Sequence, residues 1–399
     1  RFTAGGARSP VGRTRSAPAA DATPQRLRLA VASCQMYEHG YYTAYRQIVA
    51  DDPDLVLHVG DYIYETSWGA RRVRRHESPE CFTLDDYRAR HALYRSDPDL
   101  AGAHAACPWL FVWDDHEVDN DYASSSSEQA DDPALFLARR AAAYRAYYEH
   151  LPLPRRAAPF GPDLRLHTTR QWGDLATFHL LDTRQYRDPQ ACPPAGRGGG
   201  GRVRVDECAT LADPARSMLG AQQEAWLGAR LRASSSRWNF LAQSVVMTPL
   251  NGETLPLERY WTDDWSGYPA ARQRLFDQLR ESRATNPVVF SGDIHAFGAA
   301  ELHASPSDPA SPVVATEFVT TSISSEGPDE KLVRTYAERN PTLRFADGST
   351  RGYLRVDLTP GMMRAGMIGM DTVHERRSGS RVVAAFEVAA GTTPGLRRA

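Results

Sequence analysis

The sequence predicts an α/β layered fold, and three observations predict it. From Leu27 onward, short apolar runs alternate with amphipathic patterns of helical period, the arrangement expected where helices pack on a sheet. Several of those runs end in Asp, His or Cys. The chain has 399 residues, 42% of them hydrophobic, which is enough for one large core or two to three ordinary domains and excludes a small disulfide scaffold. Charge adds little: 47 basic against 49 acidic residues, a net charge of −2, lack the basic footprint of a dedicated nucleic-acid binder. No apolar run approaches the ~18 residues of a membrane-spanning helix.

Taken in order, residues 1–25 are rich in Gly, Pro, Ala and Arg without a hydrophobic period and read as a linker or the remnant of another domain, which leaves 26–399 as the main body. Strands are predicted at Leu27–Ser33, Asp54–Val59, Trp109–Trp113, Leu175–Leu181, Trp238–Val246, Pro287–Phe290 and Val313–Val319, each a short apolar run closed by polar residues. Helices are predicted at Tyr41–Ala50, Leu84–Arg95, Pro133–His150, Ala221–Ala233 and Pro269–Ser282, several opened by Asp, Gly or Pro as helix N-termini often are. Gly352–Leu358, Met362–Met370 and Arg381–Val388 read as a further antiparallel sheet. Cys192–Cys208 holds four successive glycines and reads as a mobile loop. Its GRGGGG lacks the Lys-Ser/Thr and helix of a phosphate-binding P-loop.

The strand ends carry the chemistry. AVAS leads to Cys34, LVLHVG to Asp61, LFVWD to Asp115-His116-Glu117, FHLL to Asp182-Thr183-Arg184 and PVVFSG to Asp293-Ile294-His295. Carboxyl ends of strands in open α/β sheets form the crevice where ligands bind. One such run alone would be an ordinary turn, since Asp favours turns; five, with His and Cys among them, point to a site. Cys34, Asp61, Tyr64, Asp115 and Asp293 would bring up to five anions together, at a cost no partly dry pocket bears without cations. At least two metals are implied. Phenolate and carboxylate oxygens favour a hard ion such as ferric iron or calcium, while Cys34 and His295 favour a transition metal, so a mixed cluster is expected.

Each residue has a plainer reading. Cys34 is a buried thiol or a ligand, Tyr64 a core aromatic beside Tyr62 or a phenolate ligand. His116 is a structural histidine or, beside a ligand in the DHE string, a proton donor. Arg184 is either an ion-pair partner of Asp182 or a bidentate phosphate clamp. Gln243 and Ser244 end a strand near the expected site and could serve only the backbone. Cys192 and Cys208, with fifteen residues between them, are expected to bridge if the protein is exported, which the chain-entropy model values at roughly 3 kcal/mol. Cys81 and Cys107 either pair or stay as buried thiols.

The strings SCQMYEHGYY (Ser33–Tyr42), HVGDYIYE (His58–Glu65), WDDHEVDNDYA (Trp113–Ala123), LDTRQYRD (Leu181–Asp188), WNFLAQSVVM (Trp238–Met247) and SGDIH (Ser291–His295) closely resemble the PhoD-type alkaline phosphatases of the calcineurin-like metallophosphoesterase superfamily. The resemblance runs from about Leu27 to the last strands, and SPVGRTRSAP looks like the end of the family's N-terminal β-rich domain. It implies a four-layer α/β/β/α sandwich and a secreted, periplasmic or cell-surface monomer. It also implies hydrolysis of phosphate mono- and diesters through a metal-activated hydroxide, with Fe3+ and Ca2+ as cofactors. Carried over, Asp61 becomes the carboxylate shared by two metals, with Tyr64, Cys34 and His295 completing the iron shell. Asp115 and Asp293 bind the second metal in place of the superfamily's amide and imidazole, Asn120 adds an oxygen, and Asp121 stands open as a further ligand. His116 protonates the leaving oxygen or orients the phosphate, and Arg184 is an added clamp. The alternatives are a diester-specialised enzyme acting on phospholipid or teichoic acid, and a non-catalytic phosphate- or calcium-binding protein that kept the fold.

Overall fold

A computed structural model describes residues 1, 3–9, 11–282, 284–306, 308–391 and 395–399; Phe2 and Pro10 of the leader, Arg283, Ser307 and residues 392–394 lie outside it. In chain order the main strands are β1 (Leu27–Ala32), β2 (Leu55–Val59), β3 (Trp109–Val112), β4 (Thr168–Trp172), β5 (Ala176–Leu180), β6 (Trp238–Ala242), β7 (Pro287–Ser291), β8 (Phe297–His303), β9 (Val313–Val319), β10 (Leu343–Asp347), β11 (Gly352–Leu358), β12 (Met362–Met370), β13 (Ser380–Ala389) and β14 (Arg397–Arg398). They form two seven-stranded sheets, one ordered β14-β13-β12-β11-β1-β2-β3 and the other β10-β8-β9-β7-β6-β5-β4. Within the first, β1, β2 and β3 run parallel, with Leu29 opposite Leu55 and Val56 opposite Trp109. Within the second, β5, β6, β7 and β9 run parallel.

The period of two along a strand sorts side chains to opposite faces and builds the layers. Phe178, Phe240 and Phe290 stack across neighbouring strands with centroids 5.0 and 5.2 Å apart, in the same core as Leu29, Val31, Leu354 and Phe386 of the first sheet. The adjacent positions Leu241 and Val289 point outward to Leu227, Leu231, Leu275 and Phe276 on the helices Gly220–Ala233 and Pro269–Glu281. The helices Thr43–Ala50, Leu84–Arg95, Pro98–Ala106 and Pro133–His150 add Ile48, Tyr87, Leu100 and Phe136 to the core on the side of the first sheet. The fold is therefore the expected four-layer sandwich. Helix starts follow their sequence signals: Thr83 and Asp86 form a reciprocal capping box, and Asp132 accepts from the Ala134 amide ahead of Pro133–His150.

Three expectations need correction. The late strands are not a separate sheet, because β11 pairs antiparallel with β1 and so extends the first sheet, Val31 lying opposite Leu354. The strands β4, β8 and β10 and the helices Pro98–Ala106 and Glu330–Arg339 were not foreseen. The Cys192–Cys208 segment is tied down rather than free. Its cysteines are disulfide-bonded, and Arg202–Arg204 pairs antiparallel with Arg259–Trp261. Cys34, Cys81 and Cys107 are separate buried thiols. The leader is strapped to the body, the Arg13 amide donating to the Ala105 carbonyl at 2.6 Å and Arg15 pairing with Asp54.

Candidate active site

The parallel strands of both sheets deliver their carboxyl ends to one place. The Cys34 and Gln35 amides donate to the Gly60 and Asp61 carbonyls at 3.1 Å, which fixes the end of β1 against the end of β2. Ser33 bridges in parallel to Ser322, beyond β9, and so joins the two sheets at this edge. The backbone leaves each strand abruptly: Cys34 (φ 56°), Asp61 (56°), Asp121 (53°), Asp293 (66°) and His295 (54°) are all left-handed. Each non-glycine residue held that way costs roughly 1–2 kcal/mol, a strain typical of functional positions. Gly60, at φ 112°, precedes Asp61 where a Cβ would come within 2.6 Å of Asp114 Cβ, so only glycine lets the two strand ends approach.

Ligating atoms fall into four overlapping triads, the atoms of each within 4.8 Å of one another: Cys34, Asp61 and His295; Asp61, Asp115 and His116; Asp114, Asp115 and Asp293; Asp115, Asp121 and Asp263. Tyr64 joins the first, its hydroxyl donating to Asp61 Oδ2 at 2.8 Å and lying 3.0 Å from His295 Nε2. His295 Nδ1 bonds the Glu326 carbonyl at 2.6 Å, which leaves Nε2 facing the cluster, and its ring stacks on Trp68 at 5.6 Å. Asn120 is half-buried at the rim, and its amide donates to Glu65 Oε1 at 3.0 Å. Asp121, left open by the sequence, stands beside Asp115 and donates its amide to Asp115 Oδ2 at 2.7 Å.

The charges demand compensation. Burial, reinforced by neighbouring carboxylates, pushes Asp61, Asp121 and Asp293 well above the ordinary carboxyl range, and burial with the nearby Asp61 does the same to the Cys34 thiol and the Tyr64 phenol. Asp115 goes the other way: burial would raise it, but Arg184 and His116 hold it down. His116 Nδ1 lies 2.7 Å from Glu65 Oε2. Burial disfavours its charge, yet Glu65, Asp115 and Asp61 together lift its pKa well above that of a free imidazole.

Arg184 is not the ion-pair partner of Asp182 that its sequence neighbourhood suggests. Its side chain is 0% exposed and its ion pairs are with Asp114, with Asp263 at 2.7 Å and with Asp115 at 3.5 Å, not with Asp182, whose carboxylate instead accepts the Arg184 amide. Carboxylates take the Arg184 Nε and Nη1, while Nη2 makes no hydrogen bond. Gln243 and Ser244 serve the frame, bonding Ser291 Oγ at 2.6 Å and Thr183 Oγ1 at 2.7 Å.

Sequence reasoning missed Asp263 and the roles of Glu65, Glu117 and Ser325. Asp263 pairs with both Arg184 and Arg187. Glu117, the third letter of the DHE string, accepts amides from Asp61 at 3.1 Å, Tyr62 and Asp114 at 2.7 Å, binding the β2 and β3 ends together. Ser325 Oγ bonds the Cys34 carbonyl at 2.8 Å and the Tyr64 hydroxyl at 2.9 Å. The glycine loop belongs to the site as well: the Gly200 amide donates to Asp121 Oδ2 at 2.8 Å, and a Cβ there would lie 2.8 Å from Asp263 Cβ.

A family model for PhoD-like phosphatases matches residues 29–367. The alkaline phosphatase D of Bacillus subtilis (strain 168) is 42% identical over 408 aligned residues, covering 100% of this chain and 68% of that relative. The solved structure of PhoD superposes with a TM-score of 0.91 at 41% identity, over 98% of this chain and 74% of the other. The chain belongs to the PhoD-like phosphatase family and is a phosphoric ester hydrolase.

Proposed function

We propose that this phosphatase hydrolyses both mono- and diesters by in-line displacement at phosphorus, over a mixed cluster of iron and calcium that shares Asp61. The observation that carries the reading is Asp61's membership of two triads at once, one with Cys34 and His295 and one with Asp115 and His116. The residues suit such ions. Asp61 Oδ1 and Asp114 Oδ2 are buried without a hydrogen-bond donor, an arrangement costly for a carboxylate unless a cation completes it. Cys34, Tyr64, Asp61 and His295 offer thiolate, phenolate, carboxylate and imidazole to ferric iron, while Asp115, Asp293 and Asn120, with Asp121, offer oxygen to calcium. When bound, the cations neutralise charge on the phosphoryl oxygens and lower the pKa of the attacking water.

The chain's own groups do the rest. Glu65 fixes the His116 ring and favours its charged form, which places His116 to donate its proton to the leaving oxygen. Arg184, with Arg187 beside it, holds Asp114 and Asp263 in position from behind. The half-buried His116, Asn120, Asp293 and His295 mark the side from which a phosphoester enters. The Cys192–Cys208 disulfide supports a secreted or cell-surface location.

Elemental analysis with rates on paired mono- and diester chromogenic substrates tests this. Iron and calcium should copurify, and both ester classes should turn over. A colourless, fully active zinc enzyme would overturn the metal assignment, and turnover of one ester class alone would overturn the breadth.

A further inference from the structure

Beside the carboxylate cluster lies a cavity of about 280 Å³ whose wall includes Asp293. The rest of that wall is largely apolar: Val246, Leu250, Val319 and Leu343 come from the second sheet and the segment after β6, and Leu332 and Val333 from the helix Glu330–Arg339. Its polar side chains are largely spent within the fold. The Thr248 hydroxyl donates to Glu317 at 2.5 Å, and Asp264 accepts the Ser266 amide at 2.6 Å. Arg202 and Tyr336, bonded to each other at 3.0 Å, stand among the more exposed residues of the wall. The covering helix has one fully buried residue, Val333, and is fastened by Asn340, whose side chain accepts the Asn251 amide at 3.0 Å. An apolar chamber continuous with a phosphate-processing cluster selects for what is attached to the phosphate.

We propose that this cavity receives the organic group of the substrate, so that the enzyme prefers phosphoesters carrying an extended apolar substituent over those with a small or polar one. The inference rests on the phosphoesterase reading above and adds to it a substrate class and the segment that selects it. Asp293 is common to both, so a phosphoester held at the cluster would lie beside the chamber. An alkyl chain entering there exchanges water for Leu332, Val333 and Val319.

The test compares p-nitrophenyl octyl phosphate, below its micellar concentration, with p-nitrophenyl methyl phosphate, using metal-replete enzyme. The leaving group is the same, so intrinsic reactivity is matched. The octyl ester should show a kcat/KM higher by on the order of 10–100-fold. Leu332→Asp, which sets a charge in the wall, and Ala346→Phe, which fills the chamber, should each remove most of that advantage and leave methyl-ester turnover within about twofold. Equal rates on the two esters in the wild type, or an advantage that survives both variants, would overturn the inference while leaving phosphoesterase activity in place. Hydrolysis of neither ester would overturn the underlying reading and this inference with it.

Discussion

The two poles of the site solve the same electrostatic problem differently. At one, Cys34, Asp61, Tyr64 and His295 converge with no arginine paired to any of their side chains among the described residues; Arg351 nearby donates to the Ser325 and Gly348 carbonyls instead. At the other, Asp114, Asp115 and Asp263 sit against Arg184, and Asp263 also against Arg187. The protein has partly neutralised its carboxylate pole and left the thiolate–phenolate pole to an external cation. On the proposed reading, the first pole would hold the more highly charged ion and the second a more exchangeable one.

The largest expected effect comes from the residue that belongs to both. Asp61→Asn should abolish turnover and release both metals, read by elemental analysis alongside activity. Retention of one metal would show that the poles do not share this carboxylate. Next is His116→Ala, which touches the chemistry and removes one of the charges that hold Asp115 down: activity should fall about 10²–10⁴-fold with metal content unchanged. Loss of metal in that variant would make His116 a ligand rather than a proton donor.

Third, Arg184→Met should break the comparison at its second pole. Removing one partner of a buried ion pair typically costs about 3–5 kcal/mol, because the remaining carboxylates stay buried without compensation. Urea unfolding should report a loss of that order, with calcium but not iron content reduced. A drop below ~1 kcal/mol would mean that Asp114 and Asp263 are compensated elsewhere, and the asymmetry would disappear.

How much of this was legible in the sequence follows from which interactions are local. The parallel strands end in Cys34, Asp61, Asp115 and Asp293, so chemistry-bearing residues stood out against apolar runs, and the spacing in GDYIY put Tyr64 within reach of Asp61. Asp263 carried no such mark. It lies in TDDWSG, a string that reads as a turn, and acquires its role from Arg184 and Arg187, 79 and 76 residues away. Arg184 was misread for the same reason: Asp182 was its neighbour in sequence, while its ion-pair partners came from other strand ends. β8, FGAAELH, has helix-forming composition and becomes a strand because β9 and β10 pair with it on both sides. The glycine run looked like slack chain, yet at Gly200 the missing side chain is what lets the backbone reach Asp121.

The last test is the sharpest on the comparison, because it reads the uncompensated charge directly. In metal-free protein, burial and mutual repulsion raise the Asp61, Asp121 and Asp293 carboxyls above their unfolded values. The folded state then binds more protons than the unfolded one. Stability is greatest below the unfolded carboxyl range, near pH 4, and is lost as pH rises toward the folded values, at up to about 1.4 kcal/mol per pH unit for each carboxyl titrating. Asp115, held down by Arg184 and His116, has the opposite sign, but its contribution changes only below the unfolded carboxyl range and leaves the slope above it untouched. Bound cations remove the penalty by stabilising the ionised form, so the gap in stability between metal-replete and chelator-treated protein should widen from mildly acidic to alkaline pH. Urea midpoints of both forms across that range measure it. A gap that stays constant would mean that Arg184 and Arg187 neutralise the whole cluster, and that the thiolate–phenolate pole has no more need of an external cation than the other.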